Sequence, residues 1–422
     1  MVWNIAGSFV YALASMVLSF LVIRVVGDDQ GGIFSFGFST LGQQMFIVAY
    51  FGIRPYQITD GKGEFSFGEY REHRNITCVM ALAMGAVFLT YMHATGRYSA
   101  AKCMILILLV IYKVIDGYAD VYESEFQRQG SLYLTGKSNF FRTVFTVSVF
   151  LVVLAAFTDL LLACVAAVAA QAAGVALFNL DVIHALEHVD WKRDEGKNKM
   201  LFRATVFLFV STFLDFYVFS AAKYAIDARM NNAASGYFNL IFMPTSVIYM
   251  VANFIIRPFL TRLTAMWDGC DYDSFKKELT RIGCVILGLT VLAVGATAVL
   301  GRWVLSVMEM LLGSGYGGKL VPYYGAFIVI VLGGGFYALA NLMYYSLVIM
   351  RRQRAIFTVY LGAAVLAAVF SGVLVSGFGI NGAAGCYLLL MIVLVLGFGL
   401  FMSGVYRREK KEYAGDGGRK ER

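Results

Sequence analysis

Charged side chains inside apolar segments are the residues of this sequence most able to do chemistry. Lys113, Asp116 and Asp120 share one apolar run, and spacings of three and four residues put them on one helix face. A charge at the centre of a bilayer costs roughly 2.5–3.5 kcal/mol on insertion scales, so such residues need a reason to be there. The spacing fits either an internal ion pair or a proton- or cation-linked site in an aqueous cavity. Asp215, alone in another run, needs a cation from another helix or a role in ion coupling.

Three arginines stand at the ends of apolar runs, namely Arg24, Arg54 and Arg257. Each could anchor a helix end at the lipid headgroups, because long cationic side chains reach toward water. Arg54 and Arg257 could equally bind an anion in a central cavity, since a guanidinium forms paired hydrogen bonds with phosphate. Proline follows Arg54 and Arg257 directly, which favours a non-helical backbone at both arginines.

Composition excludes a soluble enzyme and a disordered chain. Of the 422 residues, 59% are hydrophobic and 15% are charged, whereas soluble domains average about 25% charged residues. The net charge of +8 in so apolar a chain points to membrane topology rather than to nucleic acid. The six cysteines form no CxxC pair, so neither a zinc site nor a disulfide framework is expected.

Apolar runs of about 20 residues, the length of a membrane-spanning helix, recur along the chain. We count twelve, near 2–25, 32–53, 76–95, 99–121, 139–157, 159–180, 202–222, 236–256, 282–301, 320–349, 356–377 and 382–404. The sequence therefore predicts an all-α membrane protein with twelve transmembrane helices. The longer polar segments 54–75, 122–138, 181–201 and 258–281 are expected to be amphipathic connectors along the inner membrane surface.

The distribution of Lys and Arg predicts the orientation. Most of the 35 Lys and Arg residues fall in alternate connectors and in the tail, which places those connectors and both termini in the cytosol. We expect a multi-pass membrane protein. Residues 406–422 are predicted to form a basic cytosolic tail.

A weak internal repeat divides the runs into two halves. Arg54-Pro55 and Arg257-Pro258 lie six runs apart at corresponding helix ends, and Gly32 and Gly236 stand upstream of them with a one-residue slip. Six plus six helices is a transporter architecture with the substrate site at the repeat interface. We predict an N-terminal lobe at 1–200 and a C-terminal lobe at 201–405.

The sequence resembles the Wzx-type oligosaccharide flippases, the polysaccharide transport family of the MOP exporter superfamily. The resemblance is carried by three stretches: Arg24-Val25-Val26-Gly27 through Gly32 to Gly52-Ile53-Arg54-Pro55-Tyr56-Gln57; Asn239-Leu240-Ile241-Phe242-Met243-Pro244 through Arg257-Pro258-Phe259-Leu260; and Gly333-Gly334-Gly335-Phe336-Tyr337 with Tyr344-Tyr345 and Arg351-Arg352. The resemblance implies a MATE/MurJ-like fold, with two six-helix lobes and transport by alternating access in the bacterial cytoplasmic (inner) membrane. It also implies a polyprenyl-diphosphate-linked oligosaccharide as substrate, a capsule, O-antigen or other surface-polysaccharide repeat unit.

The resemblance further implies roles for single residues. By analogy with the related lipid II flippases, Arg24, Arg54 and Arg257 would hold the diphosphate. Sugar contacts are expected from the amides Gln43, Gln44 and Asn253, and coupling to H⁺ or Na⁺ from Lys113, Asp116, Asp120 and Asp215. No bond is made or broken, so neither an enzyme nor a cofactor is expected. The partners expected are membrane lipids, a polysaccharide polymerase and glycosyltransferases.

Two other functions remain open from the sequence. A cation-coupled multidrug antiporter of the MATE branch shares the architecture, and Asp215 on the seventh helix matches its cation sites. A membrane-embedded glycan polymerase or acyltransferase is a different class, and would normally show a sizeable outer loop.

Overall fold

The architecture is a bundle of long helices. The computed structural model describes residues 2–60, 63–186 and 189–420, and these ranges contain helices and turns but no strand. The helices are α1 (Val2–Val26), α2 (Asp28–Phe36), α3 (Gly42–Tyr50), α4 (Ile53–Thr59), α5 (Phe67–Ala94), α6 (Ala100–Arg128), α7 (Leu132–Phe157), α8 (Leu160–Val175), α9 (Asp181–His184), α10 (Glu195–Arg229), α11 (Asn232–Asp268), α12 (Tyr272–Leu312), α13 (Tyr324–Ile349) and α14 (Gln353–Lys420). The predicted all-α membrane fold is confirmed.

Each of the twelve predicted runs corresponds to a helical segment. Within the described ranges, nine helical segments are long and apolar enough to cross a membrane by length and composition. Two of the predicted runs are not among these nine. The second run is divided into α2, a π-helical turn and α3, and the fourth run, α6, contains too many charged residues to count as an apolar span. The last two runs are merged in α14, where Gly379 has φ +57° and ψ −135° and bends the chain between them.

The connectors differ from the amphipathic segments predicted at the inner surface. Most of that polar sequence extends the spanning helices: α6 reaches Arg128 and α7 begins at Leu132, while α11 reaches Asp268 and α12 begins at Tyr272. The polar helix ends are stabilised by caps. Ser66 and Glu69 form a reciprocal capping box on α5, and Asp271 accepts a hydrogen bond from the backbone of α12.

The two Arg-Pro pairs have different backbones. Phe51 and Gly52 are left-handed, with φ of +52° and +68°, so the chain breaks just before the short helix that contains Arg54. Arg257 lies inside α11, which continues through Pro258. Arg54 is itself the second residue of α4, so the expectation of a non-helical backbone is wrong at both arginines. Membrane helices tolerate proline because neighbouring groups satisfy the freed carbonyl.

The contacts divide the chain into two compact units. Unit 1 is Met1–Phe216 with Asn231–Leu240, and unit 2 is Tyr217–Met230 with Ile241–Arg422. In unit 1, α6 packs against α3, α5, α7 and α8, and in unit 2 α13 packs against α12 and α14. The lobe boundaries 1–200 and 201–405 stay a prediction.

Candidate functional site

The charged face of α6 forms a buried ionic cluster in unit 1. Asp116, Asp120 and Glu123 are all buried, at spacings of four and three residues along the helix. Arg142 of α7 bridges two of them. Its Nη1 lies 2.6 Å from Asp116 Oδ1, and its Nη2 lies 2.9 Å from Glu123 Oε1. All three charged groups of this bridge are buried away from water, so each carboxylate depends on the guanidinium for its stabilisation.

Asp120 binds two further arginines. Arg54 Nη1 lies 2.5 Å from Asp120 Oδ1, and Arg74 Nη2 lies 3.0 Å from Asp120 Oδ2. Arg74 is completely buried and also donates to the carbonyl of Ala49 at 2.9 Å. The break before α4 brings Arg54 to this carboxylate, where its Nη2 also donates to Gln127 at 3.2 Å.

Lys113 lies beside this cluster but pairs with neither aspartate on its own helix face. Its Nζ donates to Tyr11 Oη at 2.8 Å and to Gln43 Oε1 at 3.4 Å, and it stands 4.0 Å from the centre of the Phe38 ring. Tyr11 in turn donates to Asp116 at 3.0 Å. Among the described residues, no carboxylate oxygen lies within 4.0 Å of this ammonium, which is 2% exposed.

The cluster therefore carries more positive than negative charge. Its cations are Lys113, Arg54, Arg74 and Arg142, and its anions are Asp116, Asp120 and Glu123. Each carboxylate already has a guanidinium partner. The excess cation is Lys113, whose neighbours are aromatic rings, a hydroxyl and an amide. Chemically, this is a place where an anion would be stabilised.

Unit 2 contains a second buried ammonium. Lys223 of α10 is 8% exposed, and its Nζ lies 4.5 Å from the centre of the Phe242 ring. Within the part of the chain that the structure describes, it has no carboxylate within ion-pair distance. Sequence reasoning missed this residue because the predicted run ended at 222, whereas α10 continues to Arg229.

Solved structures with the same architecture cover nearly the whole chain. One is a multidrug resistance MATE family transporter of the MOP superfamily in an inward-facing conformation, with TM-score 0.70, 12% identity and 96% of each chain covered. Another is the eukaryotic MATE transporter AtDTX14, with TM-score 0.65, 13% identity and 97% of each chain covered. The chain has the MATE transporter fold.

A third solved structure with the same architecture is described by the polarity of its own binding pocket. It is a MOP superfamily transporter from Pyrococcus furiosus, with TM-score 0.52, 12% identity, 96% of this chain and 94% of that chain covered. Its description states that a reversed polarity of the binding pocket suggests a different function. No protein-family model and no curated protein matches the sequence. The comparisons thus show the fold of MATE transporters, and the Wzx-type assignment stays a prediction.

The three arginines predicted to bind phosphate lie in different units of the structure. Arg24, in the last turn of α1, is exposed, and Arg54 is bound to Asp120, both in unit 1. Arg257 belongs to unit 2 and is exposed on α11. Their role as diphosphate ligands stays a prediction.

The predicted sugar contacts lie at different depths. Gln43 is partly buried beside Lys113, and Gln44 is buried and donates to the carbonyl of Phe213 at 3.1 Å. Gln44 Oε1 has no hydrogen-bond partner among the described residues. Asn253, in unit 2, accepts hydrogen bonds from Asn341 at 3.3 Å and from Tyr345 at 3.4 Å.

The cluster contains residues that the sequence did not reveal. Arg74 and Arg142 sit close to the predicted ends of their runs, and Glu123 lies two residues beyond the predicted end of the fourth run. The sequence predicts that all three lie at solvent-exposed helix ends. The helices extend beyond the apolar runs, however, so these residues lie within them. Asp215, the remaining candidate for ion coupling, is partly buried in α10 and has a contact partner.

Proposed function

We propose that this protein is a transporter that moves a polyprenyl-diphosphate-linked oligosaccharide across the bacterial cytoplasmic membrane by alternating access. The observation that carries the proposal is the pair of buried ammonium groups, Lys113 in unit 1 and Lys223 in unit 2. Neither has a carboxylate partner among the described residues. Both lie in helices long enough to cross a bilayer.

The physical reason is the cost of an unpaired buried charge. Removing an ammonium from water without a counter-ion is strongly unfavourable. A lysine inside a membrane helix that has no carboxylate partner is therefore expected to serve a function. A diphosphate supplies the missing negative charge, and lysine binds phosphate as a compact point charge. The lipid tail stays in the bilayer while the protein replaces water around the charged headgroup.

The other predicted residues complete this proposal. Gln43 and Tyr11 line the ammonium of Lys113 with a carbonyl oxygen and a hydroxyl that can also bind sugar hydroxyls. Gln44 and Asn253 are further amide contacts for sugars. Arg24 and Arg257 are exposed arginines that would contact the diphosphate during its passage. Arg54 would do so only by exchanging the Asp120 carboxylate for phosphate.

The buried carboxylates are the groups that would couple transport to an H⁺ or Na⁺ gradient. Asp116 and Asp120 are buried, but each binds arginine closely. A cation could replace an arginine only if the guanidinium moved away. Asp215 remains the candidate outside this cluster. The flipped product would pass to a polymerase, and glycosyltransferases would supply the substrate.

A cation-coupled multidrug antiporter is the second candidate function. The fold and the buried carboxylates Asp116, Asp120 and Glu123 favour it. Cationic drugs bind best where carboxylates lack partners, however, and all three of these bind guanidinium groups. The excess positive charge beside Phe38 and Tyr11 would repel a cationic drug, so the anionic cargo fits this site better.

Reconstitution of the purified protein into vesicles decides between the two functions. The probe is a polyprenyl-diphosphate disaccharide with a fluorescent headgroup, whose translocation changes its accessibility to a membrane-impermeant quencher. We expect translocation of this lipid, none of the same disaccharide on an uncharged lipid, and no transport of ethidium under a pH or Na⁺ gradient. Gradient-driven ethidium transport without movement of the diphosphate lipid would establish the antiporter instead.

A further inference from the structure

A large cleft in unit 2 is lined by arginines that the proposed transport function does not use. Its volume is about 980 Å³, and it lies between the α13–α14 turn and the second half of α14. Four of its lining residues are arginines: Arg351, Arg352, Arg354 and Arg408. So many like charges around one cleft repel each other, which favours an anion among them.

The backbone of the turn holds these arginines in place. Arg351 has a left-handed backbone, with φ +57°. The backbone N–H of Arg352 donates to the carbonyl of Leu347 at 2.9 Å, and this hydrogen bond caps the C-terminal end of α13. Gln353 begins α14, so the peptide N–H groups of the first turn of that helix also lie at the cleft. The positive end of a helix adds to the attraction for an anion.

The arginines differ in how far they are already bound. Arg352 lies 2.6 Å from Glu409 and therefore fastens the turn to α14, and Arg408 is paired with Glu412 at 2.8 Å. Arg351 is 84% exposed, and its Nη2 forms a long ion pair of 3.7 Å with the exposed Asp268, which water weakens. Arg354 has no carboxylate within ion-pair distance among the described residues. Arg351 and Arg354 are thus the guanidinium groups available to a ligand.

The opposite wall of the cleft is apolar. Leu400 and Phe401 of α14 line it and are 72% and 42% exposed, and Val405 continues the surface toward Arg408. This wall stands where the apolar run of α14 gives way to the basic segment that begins at Arg407. The cleft therefore spans the boundary between hydrocarbon and headgroups, with apolar side chains on one side and arginines on the other.

We propose that this cleft binds an anionic glycerophospholipid, with its phosphodiester on Arg351 and Arg354 and an acyl chain along Leu400 and Phe401. A soluble phosphate would satisfy the guanidinium groups but would leave the apolar wall uncovered. Basic pockets at the ends of membrane helices attract anionic headgroups, and each cation near the membrane surface contributes about 1 kcal/mol. The proposal is independent of the transported substrate.

The test is lipid binding by the full-length protein in detergent, measured by native mass spectrometry. The probes are dioleoyl-phosphatidylglycerol and, for comparison, dioleoyl-phosphatidylcholine. Arg351→Asn removes one charge and keeps a residue that tolerates the left-handed backbone, and Arg354→Gln removes the other. The matched control is Arg281→Gln, an exposed arginine of α12 that does not line the cleft.

We expect the wild type and Arg281→Gln to retain phosphatidylglycerol in preference to phosphatidylcholine. Each cleft substitution should weaken retention of phosphatidylglycerol about fivefold, the factor that corresponds to about 1 kcal/mol. Equal retention of both lipids, or unchanged retention in both cleft variants, would overturn the proposal. Displacement of the lipid by millimolar inorganic phosphate would also overturn it, because the site would then be one for a soluble anion. Thermal unfolding of each variant verifies that it is folded.

Discussion

Gly32 and Gly236 pack directly against each other: a Cβ atom built on Gly236 would lie 3.2 Å from the Cα of Gly32. Gly32 also touches the first residue of α11, where its Cβ would lie 1.7 Å from the carbonyl oxygen of Asn232. The Asn232 side chain donates to Asp29 at 2.9 Å and accepts from Lys102 at 2.8 Å. The two glycines of the sequence repeat therefore mark a close contact of α2 with α11, and polar bonds surround it.

Substitution of these glycines should destabilise the protein in a definite order. Gly32→Ala forces the backbones of α2 and α11 apart, whereas Gly236→Ala needs a smaller shift. Gly288→Ala is the matched control, because no atom lies within 4 Å of its Cβ position and alanine favours the helix. We expect the melting temperature to fall most for Gly32→Ala, less for Gly236→Ala and not at all for Gly288→Ala. Equal melting temperatures for the three variants would contradict the close contact.

Removal of Arg142 should destabilise unit 1 strongly. Arg142→Gln leaves Asp116 and Glu123 buried without their guanidinium partner, and breaking a buried pair costs about 3–5 kcal/mol. Thermal unfolding in detergent measures the loss. The control is Arg302→Gln, which removes an exposed arginine of α12. Adding Asp116→Asn to Arg142→Gln should recover part of the stability, and a fully additive loss would argue against the pairing.

Asp60 should make stability depend on pH in the acid range. Burial opposes ionisation of Asp60, but backbone hydrogen bonds from Phe65 and Glu64, the hydroxyl of Tyr70 and the charge of Arg128 outweigh it and lower its pKa. Stabilisation from a lowered pKa is complete above the unfolded value of about 3.9 and is lost as pH falls through the lower folded value. The melting temperatures of wild type and Asp60→Asn should therefore differ at pH 7 and converge below about pH 4. A difference that stays constant down to pH 3 would show that the carboxylate charge does not matter.

Charge reversal should affect stability at the buried ion pair of Arg54 but not at the exposed Arg257. Arg54→Glu places a carboxylate beside Asp120 and Glu123, so we expect loss of stability together with loss of transport. Arg257→Glu changes an exposed side chain, so the melting temperature should stay constant while glycan export falls. Unchanged glycan export with altered dye efflux in Arg257→Glu would support the antiporter instead.

Hydrophobic run length was enough to predict the helical membrane fold. The spans follow from the requirement that backbone groups in lipid bond within a helix, and each predicted run matches a helical segment. The cluster was predicted less well. The face of Lys113, Asp116 and Asp120 was visible from their spacing, but their partners come from other helices. Spacing within one helix cannot reveal that Arg142 of α7 binds Asp116.

Helix extension explains the residues that sequence reasoning missed. Lys223 and Glu123 lie beyond the apolar runs, where polar residues look solvent-exposed, yet both are buried. The repeated Arg-Pro pair was misleading for the opposite reason. The first Arg-Pro pair follows a left-handed break at Phe51 and Gly52, whereas the second, Arg257-Pro258, lies within a continuous helix. Local sequence does not distinguish these cases, because neighbouring helices determine the backbone there.

The buried lysines allow function to be separated from folding. An unpaired buried ammonium reduces stability, so Lys113→Gln and Lys223→Gln should leave the melting temperature unchanged or raise it. The same variants lose a charged contact with the cargo, worth about 1.5–3 kcal/mol for a hydrogen bond to a charged group. If the lysines had only a structural role, these variants would instead lower the melting temperature and leave transport by the folded protein unchanged.

The decisive measurement is translocation of the fluorescent polyprenyl-diphosphate disaccharide by vesicles that contain wild type, Lys113→Gln or Lys113→Arg. We predict translocation by the wild type, a loss of about tenfold to a hundredfold in Lys113→Gln, and substantial recovery in Lys113→Arg, which keeps the positive charge. Undiminished translocation by a stable Lys113→Gln variant would contradict the account, because the excess positive charge in the cluster would then have no part in binding the cargo.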